Sequence, residues 1–299
     1  LVGGCLALTG LKRRTGLGTA ALVIAANLPD LDVLAIPLGR NLELRRGWTH
    51  GVLAIAIWPF LLAAALWLWA RFRPRLDRPP VWFRGLLLLS VIGVLSHPLL
   101  DFLNNYGMRW LMPFRDRWYY GDSLFIVDPW LWALLGFAIR AVRRRERAGD
   151  ADPGRPARLA LAGAVTYVGI MMASTLLARG AIRRELGHQV RFMAAAVPIT
   201  PFTKQVIVDA GDRYRIGRYR FLGSPGLVID TFVAKGGDRR AAAAVAATRA
   251  GKGFLHWARF PVYQTAPAGD SLVVRVYDLR YATAVGRSWA AVEVGLARR

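Results

Sequence analysis

Cysteine is almost absent from this 299-residue chain: Cys5 is the only one, which excludes a disulfide scaffold and any cysteine-built zinc site. That lone thiol says nothing about compartment. Lysine is scarce, four residues against 37 arginines, and acidic residues are outnumbered, 19 Asp+Glu against 41 Lys+Arg, for a net charge of +22. A 55% hydrophobic composition, a mean hydropathy of +0.31 and 11 tryptophans exclude a disordered chain. There is no Walker loop, no Gly-x-Ser-x-Gly elbow and no His-Glu-x-x-His helix, and Gly16-Leu17-Gly18 is not a dinucleotide fingerprint. No complete signal peptide is visible, since Val2-Gly3-Gly4-Cys5 lacks the basic n-region and apolar core that precede a lipoprotein cleavage site.

What the chain does have is long apolar runs. Residues 51–70 contain no charge over a length that spans a hydrocarbon core. Similar runs occupy 85–100, 124–139 and 159–178, and a fifth, 15–38, is interrupted by Pro29, Asp30 and Asp32. Helices of a soluble bundle would need charged faces between the apolar ones, and 51–70 and 159–178 have none. Residues 1–180 therefore read as an α-helical polytopic membrane domain.

Basic residues crowd the short loops beside these runs. Lys12, Arg13 and Arg14 precede the first, five arginines lie in 71–84, and seven lie in 140–158. The positive-inside rule places these loops in the cytoplasm. Residues 39–50, 104–123 and everything after 178 then lie outside, with Arg45 and Arg46 counting against that orientation. The expected location is the inner membrane, with the bilayer as partner. Nucleic-acid binding is not expected, because loop arginines beside spans account for the charge. Oligomeric state is not legible.

After about residue 200 the pattern becomes short and alternating. Strands are expected at 204–209, 213–222, 227–234, 254–263 and 271–280, with an alanine-rich helix at 238–250 capped by Asp238. Residues 181–299 thus read as a small α+β soluble domain outside the membrane.

Ionisable groups within or beside apolar spans are expensive and need a reason. His97 and Asp101, at i and i+4, share a helix face and can reach one ion, although Pro98 weakens helix at His97 itself. A buried hydrogen-bonded His–Asp pair is the alternative. Asp30 and Asp32 follow Pro29, and in an extended turn both would point one way and share a cation. A helix-end cap is the alternative there. His50 opens the uncharged run, with Gly47 allowing close approach, and Asp128-Pro129 is a ligand or a turn. In the orientation set by the arginines all four clusters fall at one membrane face, which reads as a metal site built from Asp30, Asp32, His50, His97 and Asp101. Imidazole with carboxylate suits a divalent metal, zinc first, with Mn or Fe as alternatives. Arg45, Arg46, Arg109, Arg115 and Arg117 lie on the same side, as solvated interfacial residues or as an anion site. Tyr106, Trp110, Trp118, Tyr119 and Tyr120 read as an interfacial aromatic belt. His188 and His256 have no carboxylate at ligand spacing and are expected to be structural.

The ordered elements Asn27-Leu-Pro-Asp-Leu-Asp32, Arg46-Gly-Trp-Thr-His50, Ser96-His-Pro-Leu-Leu-Asp101 continuing to Gly107, Pro113-Phe114 and Asp128-Pro129 resemble the YdjM-type family of predicted membrane-bound, metal-dependent hydrolases. The resemblance covers roughly residues 1–140. Ala258-Arg-Phe-Pro261 and Asp278-Leu-Arg-Tyr281 look like the extra domain of longer members. Members usually carry a Thr-His element just before the run that reads Leu1–Gly4 here, and that histidine is not in this sequence. A distant similarity to zinc phospholipase C and P1 nuclease implies a phosphoester or lipid-linked substrate.

The expected function is an integral membrane hydrolase acting on an ester or phosphoester, of a small molecule or a lipid-linked one, with metal-activated water. Asp128, or else Asp32, would be the general base. A transporter or a scaffold presenting the C-terminal domain is the alternative, and a transporter would carry its polar groups near mid-bilayer.

Overall fold

A computed structural model describes residues 1–37, 41–73, 79–284 and 287–297. Arg75, Asp77 and Arg78 of the expected cytoplasmic loop lie outside the described residues. The chain divides into two compact units. The first comprises Leu1–Leu34, Arg45–Ser174 and Ala196–Pro201, and the second Ala35–Leu44, Thr175–Ala195 and Phe202–Arg299.

In the first unit, α1 (Val2–Leu8) and α2 (Gly18–Ala25) are followed by a 3₁₀ helix at Leu28–Ala35. Pro29 cannot continue α2, and the two helices meet at a 45° bend. The second unit takes α3 (Asn41–Leu44); then come α4 (Val52–Phe72), α5 (Phe83–Leu103) and α6 (Pro129–Arg147) of the first. The next helix, α7 (Arg155–Leu186), contributes residues to both units.

Helices α4, α5 and α7 are long and apolar enough to cross a membrane, and the bent α2 pair makes a fourth if it counts as one span. Only 22, 39 and 17% of their apolar windows is buried within the protein, so most of that hydrocarbon surface faces lipid. A soluble bundle would have hidden it. Helix α6 departs from the expected fourth run. It starts at Pro129, capped by Asp128, and continues into Arg140, Arg143, Arg144, Arg145 and Arg147, leaving an apolar stretch too short to span alone. Prolines 59 and 98 lie inside α4 and α5 without ending them, as membrane helices tolerate. The weakening expected at His97 therefore does not occur.

Tight packing of α2 on α5 rests on Gly93. A Cβ at that position would stand 2.5 Å from the Ala25 Cβ and 3.0 Å from the Leu22 carbonyl oxygen. Leu22, Ala21, Leu86 and Leu89 close the core beside it.

The second unit is α+β. Strands β1 (Phe192–Ala196), β2 (Thr203–Asp209), β3 (Arg213–Arg220) and β4 (Gly226–Ala234) form one sheet in that order. Helices α8 (Arg239–Ala247) and α9 (Arg249–Trp257) follow, with Asp238 capping α8 as expected. Then β5 (Pro261–Ala268) and β6 (Ser271–Asp278) lead to β7 (Ala282–Ala284), β8 (Arg287–Ser288) and β9 (Ala291–Ala297). A second antiparallel sheet runs β5-β6-β9. The strand expected at 254–263 is half helix. Phe254 and Trp257 are buried one turn apart on α9, a helical spacing that a window of alternating residues disguises.

Alternate residues of both sheets, among them Ile207, Tyr214, Val262 and Tyr277, meet in one core. The motifs around Arg259 and Arg280 are joined there by Asp278. It accepts from the Arg259 backbone N–H at 2.7 Å and from Arg280 Nη2 at 2.9 Å, with both ion-pair side chains fully buried. The Arg280 guanidinium also stacks 4.6 Å from the Trp257 ring.

Gly93→Ala overpacks the α2–α5 contact and is expected to cost about 1–3 kcal/mol, read as a lower thermal midpoint in detergent. Asp278→Ala strands a buried guanidinium and is expected to cost about 3–5 kcal/mol of the second unit's stability in denaturant unfolding.

Candidate metal centre

Four side chains from three separate stretches meet at the end of α5. His97 and Asp101 face the same way across one helical turn, with Nε2 and Oδ2 3.4 Å apart. Asp30 comes from the 3₁₀ helix, its Oδ2 3.6 Å from His97 Nε2. His50, just before α4 and fully buried, places Nε2 3.3 Å from Asp101 Oδ2. One donor atom from each residue lies within 4.8 Å of all the others.

Each imidazole is held from behind. His97 Nδ1 is 2.8 Å from the Ala26 carbonyl oxygen, which can only accept, so Nδ1 carries a proton and Nε2 is the atom turned toward the carboxylates. His50 Nδ1 has Thr49 Oγ1 at 2.9 Å and Asp32 Oδ2 at 3.4 Å. A carboxylate or carbonyl behind the ring is the arrangement that orients metal-binding histidines.

Asp101 is divided between two tasks. Arg46 Nη2 donates to its Oδ1 at 3.0 Å, leaving Oδ2 for the histidines. Arg46 is itself pinned, Nη1 donating to Asn104 Oδ1 at 3.0 Å, its backbone N–H to Asp32 Oδ2 at 2.7 Å, and its guanidinium lying 4.6 Å from the Tyr106 ring centre. Below that loop Arg109 donates to the Arg45 carbonyl at 2.9 Å and to Asp116 at 3.0 Å. Gly47 makes this possible, because a Cβ there would stand 2.7 Å from the Arg109 guanidinium.

The front of the site is different. His50 Nε2, His97 Nε2 and Asp101 Oδ2 are buried and make no hydrogen bond. Lone pairs facing carboxylates repel unless a second proton or a cation lies between them. Donors held about 2.0–2.2 Å from a tetrahedral divalent ion stand about 3.3–3.6 Å from one another. Three of the six separations, 3.3, 3.4 and 3.6 Å, match that edge, and all six lie within 4.8 Å. The donor set is nitrogen and carboxylate oxygen, suited to a first-row divalent metal.

Not every expected residue joins the set. Asp32 does not share an ion with Asp30 through an extended turn, because the segment is a 3₁₀ helix and turns about 120° per residue. Two residues on, the side chain points away, toward Arg46 and His50. Asp128 caps α6, accepting from the Trp130 and Leu131 N–H groups on Oδ1 and from the Tyr167 hydroxyl at 2.9 Å on Oδ2. Tyr106 and Trp118 are buried against Arg46 and Arg109 and do not form an interfacial belt. Those two arginines are buried among protein acceptors and not solvated. His188 and His256 are exposed and stand outside the set. Sequence reading missed the task of Asn104, whose amide oxygen also accepts the Tyr106 N–H, and no spacing signal marks it.

A chamber of about 700 Å³ opens beside the set. His97, Asp101, Asn104 and Asp128 line its polar end, and the remaining wall is mostly apolar.

No solved structure matches the chain. The uncharacterized protein YfhP of Bacillus subtilis (strain 168) is 26% identical over 113 residues, 37% of this chain and 32% of that protein, so the similarity spans about a third of the relative's length. The family model described as YdjM inner membrane protein matches residues 1–178, a stretch that holds the whole four-residue set. By that match over more than half its length, the chain belongs to the YdjM family of inner-membrane proteins.

Proposed function

We propose that this multi-pass inner-membrane protein is a metal-dependent hydrolase of esters or phosphoesters. The observation that carries the reading is the convergence of three buried polar atoms, on His50, His97 and Asp101, that no protein group satisfies. Asp30, His50, His97 and Asp101 are the assigned ligands, zinc first among the metals they suit. A divalent ion held there would lower the pKa of a water toward about 7 and polarise the scissile group.

The chain's own residues do the rest. Arg46 fixes Asp101 so that one oxygen faces the histidines, and Asp32 and the Ala26 carbonyl fix the two rings. In the reaction the water oxygen bonds to the carbonyl carbon or phosphorus, and the bond to the alcohol oxygen breaks. One water proton ends on that alcohol, the other on the released acid or solvent. Asp30, with 47% of its side chain exposed against 14% for His97 and 16% for Asp101, marks the side on which protons exchange with solvent. Asp128 has both oxygens engaged by α6 and Tyr167, so we assign it the positioning of α6 in place of the proton transfer expected from sequence. The arginine-rich loops support a site and C-terminal unit on the non-cytoplasmic side.

Elemental analysis of detergent-purified protein is expected to find stoichiometric divalent metal in the wild type and none in His97→Ala or Asp101→Ala. Both variants should insert in the membrane normally and lose hydrolysis. Full metal and full activity in either would refute the ligand assignment, and a metal-free wild type would favour a scaffold. Asp32→Asn removes the charge behind His50 and beside Arg45 while keeping an oxygen that can accept the Arg46 N–H, so metal affinity should fall about 10–100-fold in a chelator competition.

A further inference from the structure

The walls of the chamber beside the four-residue set point to a substrate class. Its volume of about 700 Å³ falls within the ~300–1,000 Å³ of pockets that enclose small organic ligands. Away from the polar end the lining is hydrocarbon, including Gly4 of α1, Val23 of α2, Leu135 of α6, and Leu161, Val165 and Val168 of α7. From Asp128 to Leu135 helix α6 rises about 10 Å, so the apolar depth below the polar end takes a substantial length of extended chain. The chamber is also not sealed by protein. Val23, Leu99 and Val165 line it and are still 39, 54 and 73% exposed, on helices whose outer surfaces face acyl chains.

An apolar room open sideways to lipid, with the His97 imidazole and the Asp101 and Asp128 carboxylates at its polar end, suits a molecule that is part hydrocarbon and part head group. We infer that the substrate is a lipid of the bilayer. Its hydrocarbon chain occupies the chamber, and its ester or phosphoester head lies at Asp30, His50, His97 and Asp101. The inference rests on the hydrolase reading for the bond cleaved, and on the chamber alone for the chain bound. The lipid enters laterally and water adds at its acyl carbon or phosphorus. The bond to the ester alcohol breaks, releasing the lysolipid hydroxyl from an acyl ester or the esterified alcohol from a phosphoester with one water proton. The other proton goes to solvent.

Two readouts separate these parts. In the first, the full chain sits in phosphatidylethanolamine–phosphatidylglycerol vesicles holding a trace of phosphatidylglycerol with a photoreactive diazirine in one acyl chain. Crosslinks are mapped by mass spectrometry. Peptides carrying Leu135 and Leu161–Val168 should label at least three-fold more than the exposed α4 face at Leu61 and Leu68. Ala164→Trp, which fills the chamber, should bring them to the α4 level. If that variant fails to insert, Gly4→Leu narrows the opposite wall with less bulk, its Cβ meeting only Ile139 Cδ1 at 3.7 Å, and carries the same expectation. Equal labelling of chamber and α4 in the wild type, or labelling unmoved by the filling variant, overturns the inference.

In the second, p-nitrophenyl esters and phosphodiesters of increasing alkyl length are offered to the wild type. Each buried methylene strengthens binding about four-fold in water, so KM should fall at least ten-fold from butyl to decyl chains, and Ala164→Trp should flatten that dependence. Hydrolysis without any dependence on chain length leaves the hydrolase reading standing and overturns the lipid assignment. No hydrolysis of any substrate defeats the hydrolase reading, and the crosslinks still decide the chamber.

Discussion

Lone pairs from two imidazoles and two carboxylates converge at the end of α5, and much of the surrounding chain works to keep them from moving apart. Such a grouping is self-repelling in a region where water is scarce. Gly93 lets α5 approach α2 until the Ala26 carbonyl reaches His97. Arg46 holds one oxygen of Asp101, Asp32 stands behind His50, and Arg109 braces the loop that carries both Arg46 and His50. Positive charge between these donors, from a bound cation or from protons on the imidazoles, is what lets the arrangement persist.

The apolar spans and the His97–Asp101 spacing were readable from sequence because each depends on one local rule, a run without charge or a four-residue step. The bend after α2 was readable from Pro29 for the same reason. The role of Asp32 was not. Whether i and i+2 share a face depends on pitch, and the segment chose a 3₁₀ helix over the extended turn. Asp128 was equally ambiguous, since Asp-Pro before an apolar run marks a helix cap as readily as a ligand. Tyr106 and Trp118 looked like membrane-interface residues, yet their rings cover arginines that local pattern cannot place in the interior. Burial of a cation is set by distant acceptors such as Asn104, and no window of sequence contains both partners.

The two motifs of the C-terminal unit make the same point in reverse. Ala258–Pro261 and Asp278–Tyr281 are separated by β5 and β6, yet Asp278 ties the first to the second through a fully buried ion pair. Their recognisability as motifs reflects a structural knot in the core of that unit.

The excursion of residues 35–44 into the second unit carries one more implication. Asp30 and His50 flank a stretch of backbone that leaves the membrane unit, packs Glu43 against Arg249, and returns. The C-terminal half is thus no detachable appendage sewn on at a single seam. A truncated protein ending near residue 178 would keep every assigned ligand and still lose the anchorage of the loop strung between two of them.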